Sequence, residues 1–350
     1  MVEHTPPARD AGIDLVKAAA ICCVLLLHTS TAGLSMPPGS FSWWSAVIWT
    51  CAVRAGVPLF FMCSGALLLR PERELPLRRL WGKNILRIVL AMLLWAIFYK
   101  VFHLLMNGAF SAAALWQGFK EALLFNQEFH LYYLHILLLV YAVLPLTRIF
   151  VRCASGTEMR YALALWFALG ILYPTLRIFW PFTLLSGIPL QWMLNMTYAA
   201  VGYGVLGYVL SRRALPQRVC SLAVLAGFAL ILGPTTGLTL KRGVLEEHFL
   251  EGMGVGVCLM AVGLFSLLYR AGQVLQEGRF RAFITRISRA SFCIFLVHAV
   301  WLNVFERRGL VASAFAPVVS IPLLAALNAA LSFLSWRVLS KIPFVNRWLI

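Results

Sequence analysis

Apolar residues run in long blocks along this chain, and polar residues gather in the short gaps between them. A helix that crosses a bilayer needs about 20 mostly apolar residues. Ten stretches qualify: 11–32, 45–69, 84–106, 130–150, 160–180, 192–211, 219–239, 249–269, 290–306 and 313–336. The pattern predicts an all-α, polytopic integral membrane protein with about ten transmembrane helices. The alternating ten-residue segments of a barrel are absent. The second stretch opens amphipathically at Trp43-Trp44, and the ninth is short. The longest polar gaps, 107–129 and 270–289, are loop-sized and suit interfacial amphipathic helices. With no internal repeat and no soluble insert, residues 1–350 read as a single membrane-embedded domain.

Composition strengthens this reading. Of 350 residues, 61% are apolar and 12% charged, about half the charged share of a soluble protein. Mean hydropathy is +0.83. A soluble fold of this size cannot hide so much apolar surface. Yet 30 Lys and Arg against 13 acids give a net charge of +17. In a soluble chain that balance would raise nucleic acid as a partner; here the bilayer accounts for it. With the N-terminus inside and ten alternating spans, the inside segments hold roughly three times as many Lys and Arg as the outside ones, as the positive-inside rule requires. Both termini are therefore expected in the cytoplasm. The eight cysteines show no CxxC or Cys/His ligand spacing, so no metal or disulfide framework is expected.

The informative polar residues are those topology leaves inside the spans, where each ionisable group costs about 2.5–3.5 kcal/mol on insertion scales. Asp14, Lys17 and His28 lie in the first span. Asp14 and Lys17, at i and i+3, can pair on one face. Lys17 and His28 are almost three whole turns apart, about 16 Å along the axis, so all three form one stripe. Interfacial snorkelling is the bland reading for Asp14 and Lys17, but it does not serve His28. Arg54, in the second span, is expected at the depth of His28 on a neighbouring antiparallel helix. His298 stands near the middle of the ninth span, where a packing role is the bland reading. His130 and Tyr133 open the fourth at its outer interface, where aromatic belts account for tyrosines. The densest basic segment, Arg70 to Arg87 with Arg73 and Lys83, suits phosphate oxygens, although topology and lipid headgroups explain most of its charge. No Walker loop or GxGxxG is present, so ATP or NAD use is unsupported.

These residues carry a resemblance. The run Ile13-Asp14-Leu15 with Lys17 and His28 resembles the first-helix motif of the acyltransferase-3 family of membrane O-acyltransferases, and Arg54 to Gly65 resembles its second motif. Arg70 and Arg73, Arg87-Ile88, His130 to Leu134 and Phe295 to His298 follow in order. One position departs: Lys17 stands where the family usually has Arg, which keeps the charge but loses the two-pronged fork. The short format is similar to the enterobacterial-common-antigen O-acetyltransferase subgroup. The resemblance implies an acyl-CoA donor, usually acetyl-CoA, and a carbohydrate or lipid-linked glycan as acceptor, in the inner membrane of a bacterium. It implies His28 as general base or acyl carrier, with Asp14, Lys17 and Arg54 in the catalytic set. Arg70, Arg73, Lys83 and Arg87 would hold the nucleotide end of the donor. His130, Tyr133 and His298 would meet the acceptor. Two other readings stay open: a transporter or flippase, which also uses intramembrane polar residues, and a non-catalytic membrane sensor sharing the fold.

Overall fold

The structure, a computed structural model, describes residues 9–350. It is helical, with no strand among the described residues. Nine helical stretches there are long and apolar enough to cross a membrane, one of them, Phe41–Leu68, made of two consecutive helices. A tenth, Met196–Arg212, has 17 residues, or about 26 Å at 1.5 Å per residue, and coincides with the sixth expected span.

In chain order the helices are α1 (Ala11–Thr31), α2 (Phe41–Ala52), α3 (Gly56–Leu68) and α4 (Leu77–Met106). There follow α5 (Ala112–Leu123), α6 (Tyr132–Cys153), α7 (Gly156–Leu176) and α8 (Met196–Arg212). The remainder are α9 (Gln217–Arg242), α10 (Val255–Gln273), α11 (Arg279–Arg307), α12 (Pro317–Leu339) and the short α13 (Pro343–Trp348).

α1 is the central post, packed against α2, α3, α10, α11 and α12. Asp10 caps its start, its carboxylate accepting from the Ile13 N–H at 3.2 Å. Near its far end Ser30 shares a buried hydrogen bond with Thr50 of α2 at 2.8 Å, which ties the His28 end of α1 to α2. α3 and α8 touch backbone to backbone. A Cβ on Gly65 would lie 1.8 Å from the Gly204 carbonyl oxygen, and one on Gly207 would lie 2.2 Å from that of Met62. Only glycine permits that approach.

Two expectations are corrected. The second span is discontinuous: helix stops at Ala52, turns through residues 53–55 and resumes at Gly56. Pro58 is the cause. It has no N–H for the Arg54 carbonyl one turn back, and its ring would strike that carbonyl in a continuous helix. Residues 270–289 form no separate interfacial helix. The stretch from Arg279 belongs to α11, whose 29 residues run about 43 Å, longer than a hydrocarbon core. The gap 107–129 does carry the amphipathic α5, held to α4 by a 2.6 Å ion pair between Lys100 and Glu121.

Candidate active site

Two polar cavities flank α1, one at each end. At the basic end, a cavity of about 990 Å³ is walled by α1, the segment after α3, and the ends of α8 and α10. Its cations include Lys17, Arg70, Arg73 and Arg79. Arg70 is engaged, its guanidinium meeting Asp10 at 2.5 Å and the Ala66 carbonyl at 2.8 Å. Asp10 is a hub that also accepts from Gln273 at 2.7 Å and Tyr269 at 3.3 Å. Lys17, Arg73 and Arg79 form no ion pair among the described residues, so their charge is available to an anion. At the rim Glu72 accepts from Arg212 at 2.5 Å, and that hydrogen bond holds its carboxyl below the usual range.

Asp14 does not pair with Lys17. It is 5% exposed and takes Arg9 at 2.5 Å, Ser288 at 2.7 Å and Thr285 at 3.3 Å. The carboxylate is therefore satisfied from α11 and from the chain preceding α1, and it locks α1 to α11. Lys83 and Arg87 do not line this cavity. Lys83 is exposed. Arg87 donates to the Ile350 carbonyl and lies over the Phe292 ring at 5.7 Å.

At the far end, a cavity of about 350 Å³ is lined by His28, Arg54, His130, Tyr132, Tyr133 and Glu251, among others. The helix break explains Arg54: in the turn at residues 53–55, its Nε–H donates to the Leu250 carbonyl. Val57 and Pro58, in the first turn of α3, border the same space, so the positive end of that helix dipole faces it. The expectation that His28 and Arg54 share a depth corresponds to this shared wall.

At the wall of this cavity three histidines from distant parts of the chain converge, His28 and His130 bordering it and His298 behind them. The His28 ring lies 5.2 Å from His298 between centroids, and His130 lies 4.9 Å from His298. Phe129 meets His28 edge-on at 4.9 Å. His130 is 1% exposed and His298 0%. His298 does not border the cavity; it sits behind His28, so the expected contact with an acceptor is not what its position offers. Among the described residues no three His, Cys, Asp or Glu side chains are arranged to hold a metal ion.

The two cavities do not merge. Between Lys17 and Val24 on α1 come the buried Ala20 and Ile21, and between Pro58 and Leu67 on α3 come the buried Phe61, Met62 and Cys63. Sequence reasoning missed Asp10 and Glu251 as wall residues; Arg79 and Tyr132 lie within the basic segment and the fourth-span motif it singled out, without being picked as site residues. For Asp10 a signal existed: it stands one turn before Asp14, on the same face.

The described residues thus form an all-helical membrane protein with a cation-lined cavity at one end of its central helix and a cavity walled by His28 and Arg54 at the other. A family model described as an acyltransferase domain matches residues 10–337, nearly the whole chain. The protein belongs to this family and is a membrane acyltransferase. No curated protein and no solved structure matches the chain.

Proposed function

We propose that the protein moves an acyl group, most simply acetyl, from cytoplasmic acyl-CoA to a hydroxyl of a cell-surface or lipid-linked carbohydrate. The observation that carries the reading is the pair of cavities on one helix, cations at one end and His28 with Arg54 at the other. Lys17, Arg73 and Arg79 suit the phosphates of the nucleotide end, with Arg70 released from Asp10 to join them. The pantetheine arm would run along α1 once the side chains between the cavities part. At the far cavity His28 takes the proton of the acceptor hydroxyl as its oxygen attacks the thioester carbonyl. The C–S bond breaks, and the proton passes from His28 to the departing thiolate. Acyl transfer through His28 itself is the two-step variant. Arg54 and the first turn of α3 stabilise the oxyanion. Both termini would be cytoplasmic and the membrane a bacterial inner membrane, in keeping with the similarity to the enterobacterial-common-antigen subgroup.

The test uses purified protein in nanodiscs with labelled acetyl-CoA and glycan acceptors. His28→Ala is expected to bind acetyl-CoA and transfer nothing. Transfer at the parent rate by His28→Ala would sink the mechanism. The discontinuous second span also occurs in transporters; solute uptake by proteoliposomes without acyl-CoA consumption would favour that reading.

A further inference from the structure

Three of the buried polar atoms that lack a hydrogen-bond partner are ring nitrogens of two neighbouring histidines, both of His130 and Nε2 of His298. Unpaired buried polar atoms are rare enough that each needs a reason. His298 is the more tightly defined. Its Nδ1–H donates to the Phe295 carbonyl at 2.6 Å within α11, which leaves the lone pair on Nε2. From α12, Asn328 donates to the His298 carbonyl at 3.1 Å, and Ser332 donates to the Asn328 amide oxygen at 2.9 Å. Two helices thus fix this residue, and its remaining nitrogen is bare.

The bare nitrogen belongs to a ring 5.2 Å from His28, with the planes 27° apart. Two imidazoles joined by an N–H···N bond of ordinary length have centroids on the order of 5 Å apart. No such bond joins them in this structure, where the two rings are stacked; the centroid spacing is that of one, and a turn of the His28 ring about its side-chain bonds would aim its N–H at Nε2. A base needs a third group to orient it. Asp14 cannot serve, since it lies at the other end of α1 and is held by Arg9 and Ser288. Glu251, the carboxylate bordering the cavity among the described residues, is exposed rather than behind the ring.

We propose that His298 is the positioning residue for His28: its Nε2 accepts the N–H of His28, so that the other nitrogen of His28 faces the cavity and the acceptor hydroxyl. The inference rests on the acyl-transfer reading above. The hydroxyl proton goes to the cavity-facing nitrogen of His28 and from there to the thiolate sulfur. The bond to His298 persists throughout, and His298 is neither acylated nor consumed.

The experiment compares the parent with His298→Leu and His298→Gln in nanodiscs, measuring kcat and KM for transfer and, separately, the dissociation constant of acetyl-CoA. The Gln side-chain oxygen reaches the neighbourhood of Nε2 and accepts an N–H; Leu cannot. His298→Leu is expected to lower kcat about 100-fold or more, with acetyl-CoA affinity unchanged within about twofold. His298→Gln should recover at least about tenfold of that loss. A Leu variant within about threefold of the parent kcat overturns the inference, as does a folded Gln variant no better than Leu. If Leu fails to fold, the Gln variant decides: activity within about tenfold of the parent supports the inference, and less overturns it. A parent that transfers to no hydroxyl acceptor overturns the acyl-transfer reading and this inference with it, whereas an active parent indifferent to His298→Leu overturns this inference alone.

Discussion

Gly65 and Gly204 face each other where α3 meets α8, yet they should respond oppositely to one added methyl group. At Gly65 the new carbon would fall 1.8 Å from the Gly204 carbonyl oxygen and 2.3 Å from the carbonyl carbon. Those atoms are backbone in mid-helix and cannot swing aside. Restoring ordinary contact means separating the helices by roughly 1.5 Å or more. At Gly204 the nearest atom to the new carbon is 3.8 Å away, an ordinary contact. Overpacking of this sort costs about 1–3 kcal/mol and sometimes more; against rigid backbone the upper end applies, so about 3 kcal/mol is expected for Gly65→Ala. Gly204→Ala meets no clash and gains up to about 1 kcal/mol of helix propensity. With roughly 2–4 °C per kcal/mol for larger chains, Gly65→Ala should lower Tm by on the order of 5 °C or more. Gly204→Ala should leave it level or slightly raised. Thermal unfolding of both variants in one detergent, followed by tryptophan fluorescence, makes the comparison. Equal shifts, or a larger loss at Gly204, would refute the claim that the close approach is one-sided. The same displacement reaches the far cavity, whose walls include Pro58 of α3 and Met196 of α8, so Gly65→Ala should also reduce transfer.

Arg87→Ala should lower stability by about 1–3 kcal/mol by removing the bond to Ile350 and, for the proposed acetyl-CoA donor, leave the affinity measured by titration unchanged. Arg73→Ala, at one of the three cavity cations that form no ion pair among the described residues, should do the reverse, weakening binding with a reduced salt dependence. Asp14→Leu strands Ser288 and Arg9 and is expected to cost about 2–4 kcal/mol, less than a fully buried pair because Arg9 is partly solvated. Asp14→Asn, which keeps a partner for Ser288, should cost roughly half as much on the same thermal scale. Glu121 is held below its usual value by the hydrogen bond from Lys100, aided by Gln117. Its contribution to docking α5 is therefore present above the ordinary carboxylate range and lost as pH falls through the lowered value. Trp116 emission should report that loss on acidification, and Lys100→Gln should flatten the response; an unchanged response in Lys100→Gln counts against the pairing.

The spans were legible because a bilayer imposes a long, uniform apolar demand that composition alone satisfies. The break in the second span was written in Pro58 but masked by the unbroken hydropathy around it. The shared wall of His28 and Arg54 followed from counting depth along antiparallel helices. The approach of His298 and His130 to His28 did not, since no periodicity relates positions on α1, on the turn before α6 and on α11. Asp14 illustrates the same limit. Spacing offered Lys17 one turn away, but Asp14 is taken by Arg9 from the chain just before α1 and by Thr285 and Ser288, which tertiary packing brings from α11. Arg87 shows that proximity in sequence is not proximity in space: it stands close to Arg70 and Arg73 in the chain, yet it does not line their cavity and donates to the Ile350 carbonyl.

Ala20, Ile21, Phe61, Met62 and Cys63, the buried residues between the two cavities, have a consequence beyond transfer. Two water-accessible hollows that met inside one helix bundle would be a conduit for ions, and every charge crossing it would draw down the energy stored in the membrane potential. Packed apolar side chains of this kind act as electrical insulation. The donor arm proposed above would fill the gap it makes, whereas an empty gap cannot be tolerated. Small residues introduced at Ile21 or Phe61 would therefore first harm a cell by leakage, before any failure of acyl transfer.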